Sequence, residues 1–242
     1  MKKILGRLFA IWAILIFVLT LLPASLYMFL IKNRKDPGRT RLFQNYSRRW
    51  MRLFFFCTGC RLKIRGKEHF KPGENYIVVC NHNSLMDIPL STPFIPGANK
   101  TIAKIEMARI PLFGGIYRIG SVLVDRSDKN SRKDSFMKMK EVLQLGMHMC
   151  IYPEGTRNRT QYPLKDFHDG AFKLAVDTGK SILPAIIFNT KKVLPPGVPF
   201  YFWPSRMEMH FLQPVTVQGG DNYDSLKKRL HEIMSDYYEA NR

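Results

Sequence analysis

The chain has 242 residues, of which 45% are hydrophobic and 24% charged, and it contains four cysteines. This length accommodates one α/β domain plus an appended segment, and the few cysteines exclude a small secreted fold held by disulfides. Lysine and arginine outnumber aspartate and glutamate by 38 to 19, so the net charge of +19 predicts an anionic partner such as membrane headgroups, nucleic acid or a phosphorylated substrate.

The N-terminal region contains a run of 24 residues without a charged side chain, Leu8 to Ile31, with basic residues on both sides. A run of this length can cross a bilayer and is longer than the apolar part of a typical signal peptide, so we expect it to be retained. The heavier positive charge follows the run and predicts that the rest of the chain is cytoplasmic. Pro23 leaves open a second arrangement, two short helices that enter and leave one leaflet.

The next segment, Arg41 to Cys57, places aromatic and apolar residues at three- and four-residue steps among several arginines. This spacing predicts an amphipathic helix. Its apolar stripe either lies in the membrane interface or packs on the rest of the protein, and the sequence does not separate these alternatives. We therefore predict a membrane-anchoring and interfacial helical segment over residues 1–57 and a globular domain over residues 58–242.

From residue 60 onward, strand-like and helix-like stretches alternate. This order is typical of an α/β fold, a single domain with a mixed, mostly parallel sheet flanked by helices. The sequence predicts strands at 75–80, 121–125, 149–152 and 182–188, helices near 134–147 and 167–178, a strand or hairpin at 207–217, and an amphipathic helix at 223–238.

Polar residues follow the apolar run Tyr76 to Cys80, which has the composition of a buried strand. They therefore lie at a strand's carboxyl end, where open α/β sheets place their sites. His82 and Asp87 are five residues apart, about 140° apart on a helix, so they meet only across a turn. In such a turn Asp87 accepts from one imidazole nitrogen and leaves the other free as a base. Alternatively, Asp87 is a helix N-cap and His82 an ordinary loop histidine.

A second polar block follows the apolar strand Met149 to Ile151 and is expected at the same sheet edge. Its composition suits phosphate binding, because Gly155 lets the backbone approach a ligand, Thr156 offers a hydroxyl, and Arg157 supplies a planar fork. Glu154 is expected to orient Arg157 or to accept from a substrate hydroxyl. The alternative is a tight turn with a surface ion pair.

Two further cations, Lys104 and Arg126, each follow a short apolar stretch, and Arg126 is expected at the same edge, where it shares the phosphate. Cys57 and Cys60 form a C-x-x-C pair without the ligand spacing of a zinc site, so no metal is expected. Since no nucleic-acid-binding signature accompanies the positive charge, nucleic acid is not expected as the partner.

Taken together and in order, these motifs resemble those of the 1-acylglycerol-3-phosphate acyltransferase family, over about residues 60 to 220. The matching stretches are Asn81-His82-Asn83-Ser84-x-x-Asp87, Lys104, Gly120 to Arg126, Pro153-Glu154-Gly155-Thr156-Arg157 and Leu183-Pro184. The sequence departs from the family pattern beside the chemical groups, at Asn83, Leu85, Tyr152 and Asn158, which bears on substrate preference more than on the reaction.

The resemblance implies His82 as general base and Asp87 as its orienter. It places the acceptor phosphate on a set of residues with Lys104 nearby: Arg126, Glu154, Gly155, Thr156 and Arg157. The sequence does not identify the oxyanion donors, for which backbone N–H groups near His82 are candidates.

The implied enzyme is a membrane-bound O-acyltransferase of phospholipid synthesis. It moves a fatty acyl group from acyl-CoA or acyl carrier protein to the free hydroxyl of lysophosphatidate, giving phosphatidate, and needs no cofactor beyond the thioester co-substrate. Its partners are these substrates and membrane lipids, with the site on the cytoplasmic face. Alternatives are an acyltransferase for another lysolipid or for glycerol 3-phosphate, and a non-catalytic basic membrane-binding protein, against which the presence of both His82 and Asp87 argues.

Overall fold

Short apolar strands alternate with helices along the computed structural model, which describes residues 1–242. Two 3₁₀ turns, Lys67–His69 and Ile105–Arg109, interrupt the longer connections. The regular elements are α1 Lys2–Ile31, α2 Gly38–Cys57, β1 Arg61–Arg65, β2 Ile77–Cys80, α3 Asp87–Ser91, β3 Asn99–Lys104, α4 Gly114–Gly120, β4 Ser121–Val124, α5 Lys129–Gln144, β5 His148–Ile151, α6 Gly170–Thr178, β6 Ile182–Phe188, α7 Thr190–Val193, β7 Arg206–Phe211 and α8 Tyr223–Asn241.

The strands form one sheet in the order β1-β7-β6-β2-β5-β3-β4. β6, β2, β5, β3 and β4 run parallel to one another, while β7 is antiparallel to β6 and parallel to β1. The predicted mixed, mostly parallel sheet is therefore confirmed. Since β2 and β5 are neighbours, the polar residues that follow them share one carboxyl edge.

The four predicted strands are present, with bounds that differ by a few residues at most. β1 and β3 were not predicted, because β1 alternates charged residues on an exposed edge and β3 begins with the polar residues Asn99 and Lys100. α5 starts earlier than predicted, since the side chain of Asp128 accepts from the backbone N–H groups of Asn130 and Ser131 and caps the helix. α6 ends at Thr178 and is followed by Gly179, whose φ of +65° is typical of a residue that terminates a helix.

The core lies on both faces of the sheet. Every residue of β2, β5 and β6 is buried, as expected for central parallel strands. One face packs against α1 and α2, and the other against α5, α6 and α8. The sheet is therefore the middle of three layers, and the polar turns follow its strands at the carboxyl edge.

α1 presents its smallest residues to the domain. Gly6, Ala10, Ala13 and Ala24 are buried, whereas large apolar residues cover the outer face of the helix. α1 is long and apolar enough to cross a membrane by length and composition. The helix continues through Pro23, so the arrangement with two short helices broken there is not what the structure shows.

α2 has the opposite arrangement, with large aromatic residues inward and arginines largely outward. Phe43, Trp50 and Phe54 are buried, and Trp50 stacks on Phe17 of α1. The apolar stripe of this helix therefore packs on the rest of the protein, which is one of the two alternatives that the sequence left open. The core is continuous across residue 57, and the division of the chain at that residue stays a prediction.

Candidate active site

The turn after β2 is fixed to the neighbouring strand by Asn81. The Asn81 Nδ2 donates to the carbonyl of Ile187 at 3.0 Å, and the backbone N–H of Ile187 donates to Asn81 Oδ1 at 2.7 Å. Ser84 continues the attachment, because its hydroxyl donates to the carbonyl of Leu194 at 2.7 Å. The turn is thus held by hydrogen bonds on the β6 side before any catalytic group is considered.

His82 and Asp87 meet across this turn, with 2.8 Å between His82 Nδ1 and Asp87 Oδ2. The same oxygen accepts from the backbone N–H groups of Asn83 and Ser84, and the Asp87 side chain is fully buried. The carboxylate therefore both closes the turn at the start of α3 and holds the imidazole proton on Nδ1. His82 Nε2 has no hydrogen-bond partner within the chain, which leaves it free to accept a proton.

Glu154 supports His82 from the adjacent strand. Its Oε1 accepts from the His82 backbone N–H at 2.7 Å, and its Oε2 accepts from the Lys165 backbone N–H at 3.1 Å. Burial raises the pKa of Glu154 to about 7. The expectation that Glu154 orients Arg157 is wrong, because both carboxylate oxygens are engaged by backbone N–H groups and no ion pair joins the two residues.

The neighbouring residues of the same loop complete the support. The backbone N–H of Asn158 donates to the carbonyl of His82 at 2.6 Å. The Tyr152 ring lies 4.6 Å from the His82 ring, centroid to centroid, and its hydroxyl is hydrogen-bonded to Ser91. The sequence marked Tyr152 and Asn158 only as departures from a family pattern, whereas the structure gives both a direct contact with His82.

The backbone donors nearest to His82 are occupied. The N–H of His82 bonds Glu154, and those of Asn83 and Ser84 bond Asp87. These three groups are therefore not available as oxyanion donors, although the sequence made backbone groups near His82 candidates for that role.

The structure brings most of the predicted cations to the loop that follows β5. Arg126 is exposed, and its Nη1 donates to the carbonyl of Gly155 at 2.8 Å. Gly155 has a φ of +68°, and a Cβ there would collide with the His168 ring, so the position requires glycine. Arg157 makes no hydrogen bond or ion pair within the chain. Lys104 is exposed at the end of β3 and contacts none of the other predicted site residues through a hydrogen bond or an ion pair.

Two cations of the site were missed by sequence reasoning. Lys165 Nζ donates to the Thr156 hydroxyl at 2.8 Å. Burial lowers the pKa of Lys191, and the charges of Glu154 and Asp87 oppose that shift, so Lys191 is within electrostatic range of the site. Neither residue has a distinctive sequence setting, since one lies in an irregular loop and the other in a helix of four residues.

A cavity of about 870 Å³ begins beside the His82 turn and is lined mostly by hydrophobic side chains. Leu85 and Ile88 line it next to the turn, and Arg157 lies on its wall. Most of the remaining lining comes from α1, α2, α3, the α4 region and residues 194–202. The site thus combines a free imidazole nitrogen, several cations and an apolar space large enough for a lipid chain.

Comparison with known proteins identifies this arrangement. A family model described as Acyltransferase matches residues 61–188. The 1-acyl-sn-glycerol-3-phosphate acyltransferase of Helicobacter pylori is 31% identical over 199 residues, which are 81% of this chain and 82% of that protein. The chain belongs to the 1-acyl-sn-glycerol-3-phosphate acyltransferase family. The family resemblance carried by the motifs is confirmed, and the chain is an O-acyltransferase.

Two further relatives of this acyltransferase show how far the similarity extends. The alpha 1-acyl-sn-glycerol-3-phosphate acyltransferase of Bos taurus is 30% identical over 189 residues, covering 73% of this chain and 62% of that protein. The crystal structure of the 1-acyl-sn-glycerophosphate acyltransferase PlsC from Thermotoga maritima has a TM-score of 0.84 at 25% identity. The aligned region covers 99% of this chain and 97% of the chain in that crystal structure. The similarity to that structure therefore includes α1 and α2 as well as the sheet.

Proposed function

We propose that the enzyme transfers a fatty acyl group from a thioester, acyl-CoA or acyl carrier protein, to the free hydroxyl of 1-acylglycerol 3-phosphate at a membrane surface. The product is phosphatidate. The observation that carries the proposal is the His82–Asp87 pair, whose free Nε2 lies at a turn that opens into an apolar cavity and faces a cationic loop. This combination suits an acceptor with a hydroxyl, a phosphate and an acyl chain.

The chemistry needs one base and no side-chain nucleophile. His82 Nε2 removes the proton of the acceptor hydroxyl as its oxygen attacks the thioester carbonyl, while Nδ1–H remains bonded to Asp87. The tetrahedral intermediate collapses with cleavage of the C–S bond, and the proton held by His82 passes to the departing thiolate. An ester and a free thiol result, with His82 and Asp87 returned to their starting states.

The acceptor phosphate is assigned to the cations around residues 154–157. Arg157 has no partner within the chain, and Arg126 and Lys165 each contact the loop while remaining near solvent. A guanidinium such as that of Arg157 pairs two phosphate oxygens at once. Binding the phosphate on this side directs the free hydroxyl toward the base, and the positioning of the two reactants supplies much of the rate increase.

We assign the acyl chains to the cavity and the membrane contact to α1. The large apolar residues on the outer face of α1 suit the hydrocarbon region of a leaflet, and basic residues flank the helix at both ends. Both ends of α1 also contact the domain, at Gly6 and at Ser25. A helix docked along its length lies beside the active site, so the lipid acceptor reaches the cavity from the membrane while the thioester arrives from the cytoplasm.

Purified protein incubated with labelled lysophosphatidate and oleoyl-CoA tests the proposal. We expect labelled phosphatidate and one free CoA thiol for each lipid formed, with at least about a hundredfold less product from His82→Ala in the same time. Replacing lysophosphatidate by lysophosphatidylcholine or glycerol 3-phosphate should reduce the rate, and faster turnover of either one would reassign the acceptor. Comparing oleoyl-CoA with oleoyl acyl carrier protein at equal concentrations identifies the donor.

A further inference from the structure

Two surface loops flank α1 at separate points along its length. The carbonyl of Leu112 accepts from the Ser25 hydroxyl at 2.8 Å, and the backbone N–H of Phe202 donates to the carbonyl of Gly6 at 3.0 Å. The two contacts are separated by about 28 Å along the helix at 1.5 Å per residue. We call residues 110–113 and 195–203 the rim loops.

Each rim loop displays one large apolar side chain from a strained backbone. Leu112 and Phe200 have φ values of +61° and +55°, and their exposed fractions are 58% and 60%. The one other non-glycine residue with positive φ is Asn189, a type that tolerates this conformation. A leucine or phenylalanine is disfavoured there, and side chains exposed to water gain no burial that would offset the strain. The strain therefore indicates that each side chain has a use outside the fold.

The rim loops also form part of the acyl cavity. Phe113, next to Leu112, lines it, as do Val198 and Phe200 from the second loop. Val198 is itself 51% exposed, so the second loop is apolar both toward the cavity and toward the outside. The two loops thus border the space that would hold the lipid, on the side of the protein where α1 lies.

The charges around this surface favour an anionic leaflet. α1 has no acidic residue, and basic residues precede and follow its apolar run. The first carboxylate of the chain, Asp36, accepts from Lys100 Nζ at 2.7 Å and from Arg39 Nη2 at 2.8 Å, and these partners lower its pKa to about 2 although burial opposes the shift. Exposed Arg109 lies just before the first rim loop. Cations beside exposed apolar side chains are typical of surfaces that bind anionic membranes.

We propose that the rim loops insert Leu112 and Phe200 into the acyl region of the leaflet that α1 contacts, so that the cavity opens into lipid and not into water. The inference rests on the proposed function only for the identity of the lipid that enters. Membrane contact by the two side chains is a separate property, and it is measurable without turnover.

Substitutions at Phe200 separate backbone strain from membrane insertion. Phe200→Gly and Phe200→Asn relieve the strain and remove the apolar side chain, so both should fold with an equal or higher melting temperature. Phe200→Trp keeps the strain and the apolar ring. If the side chain inserts, Gly and Asn should lower activity on lysophosphatidate in phosphatidylglycerol vesicles by about tenfold, the expected scale for one buried aromatic residue. Phe200→Trp should retain the wild-type activity on these vesicles.

Two controls define the comparison. Leu112→Asn should lose activity on vesicles as Phe200→Asn does, but it should acylate a short-chain lysophosphatidate that is monomeric in water at the wild-type rate. Leu112 does not line the cavity, and this acceptor needs no membrane access. Leu145→Ser removes an exposed leucine at the end of α5, away from the rim loops, and should leave activity on vesicles unchanged. Equal losses of Leu112→Asn on vesicles and on the monomeric acceptor would overturn the proposal, as would full activity of Leu112→Asn on vesicles.

Fluorescence tests insertion without catalysis. The added emission of Phe200→Trp or Leu112→Trp, measured as the difference from wild type, should be quenched by vesicles containing phosphatidylcholine brominated on its acyl chains. The added emission of Leu145→Trp should not. An unquenched signal at both rim positions would overturn the proposal even in an active enzyme, and quenching would support it even if the assigned acceptor were wrong. Loss of a lipid-free dimer in Phe200→Gly would instead identify a second copy as the occupant.

Discussion

The two sides of the active site are built differently. On the side of the base, Asp87 Oδ2 accepts three hydrogen bonds in a fully buried position, and the turn is bonded to β6. On the side that we propose binds the phosphate, Arg126 is exposed and Arg157 has no partner within the chain. The fold therefore holds the proposed base with several hydrogen bonds and holds the guanidinium groups with one or none.

This difference follows from how the two interactions depend on distance. Proton transfer requires heavy atoms within about 3 Å of each other, so a base must be held in position before the substrate arrives. Attraction between a cation and a phosphate falls off more slowly and tolerates adjustment of long side chains. Glu154 connects the two sides, because it holds the backbone of His82 with one oxygen and that of Lys165 with the other.

The largest effect is expected from removing the base. His82→Ala should lower kcat by about 10² to 10⁴, since this is the usual contribution of a general base and the variant removes the free Nε2. The variant should fold, because the imidazole is a partly exposed group whose only side-chain hydrogen bond is to Asp87. Steady-state acylation of lysophosphatidate measures the loss, and thermal unfolding provides the control. Near-normal turnover would show that His82 is not the base.

Asp87→Asn should have a smaller effect than loss of the base, for a reason visible in the turn. The oxygen that bonds His82 is also held by the N–H groups of Asn83 and Ser84, so an asparagine will place its carbonyl oxygen there. The proton then stays on Nδ1, and only the negative charge that stabilises the imidazolium is lost. We expect kcat to fall by about 10- to 100-fold, with KM for both substrates retained. A loss as large as that of His82→Ala would show that the new amide is flipped, so that its NH₂ group faces His82 and the imidazole proton no longer lies on Nδ1.

Glu154→Gln should loosen the connection between the two sides. One of the two backbone N–H groups will face an amide NH₂ in place of an oxygen, so we expect kcat to fall about tenfold through displacement of His82. Glu154 acts here as a positioning residue. The conservative change Glu154→Asp, which keeps the charge but shortens the side chain, should not restore the rate, since it cannot reach both N–H groups.

The pH dependence of stability provides a readout specific to Glu154. Its pKa is about 7 in the folded protein against a usual 4.5, so the folded state binds the extra proton between these values. Stability should therefore fall as pH rises from about 4.5 to 7, by about 3 kcal/mol at most. His148 acts in the opposite direction, because burial lowers its pKa to about 4. The difference between wild type and Glu154→Gln in chemical unfolding cancels the His148 contribution, and a difference independent of pH would contradict the assignment.

The sequence predicted the side of the base better than the phosphate side. His82 and Asp87 lie in one turn after a strongly apolar strand, so strand, edge and spacing left two alternatives, a pair across the turn or an N-cap beside an ordinary histidine. The structure shows the pair. The supporting contacts of Glu154 and Tyr152 join separate strands, and their direction depends on the order of the sheet, which the sequence did not provide. Lys165 was also missed, because it reaches Thr156 across an irregular loop whose path the sequence does not predict.

The two N-terminal helices show a similar limit. The spacing of α2 predicted an amphipathic helix correctly, but a stripe of large apolar residues is equally suited to a membrane and to a core. α1 turns its glycine and alanine residues toward the domain along with a few large ones such as Phe17 and Met28, while most of its large apolar residues face outward. Hydrophobicity alone therefore did not reveal which face packs. The strained positions Leu112 and Phe200 had no signal in the sequence, since positive φ at such residues is unusual.

The smallest effect is expected on the adjustable side of the site. Arg157→Lys keeps the charge and loses the bidentate fork, so KM for lysophosphatidate should rise by about three- to tenfold while KM for the thioester stays nearly constant. Arg126→Lys should have a weaker effect, because one guanidinium nitrogen already bonds the carbonyl of Gly155. Arg65→Lys, on β1 at the far end of the sheet, is the matched control and should change neither constant. If Arg157→Lys raised both KM values equally, the residue would be shaping the cavity wall that it lines and not holding the phosphate. The contrast between a firmly held base and loosely held phosphate-binding cations would then lose its second half.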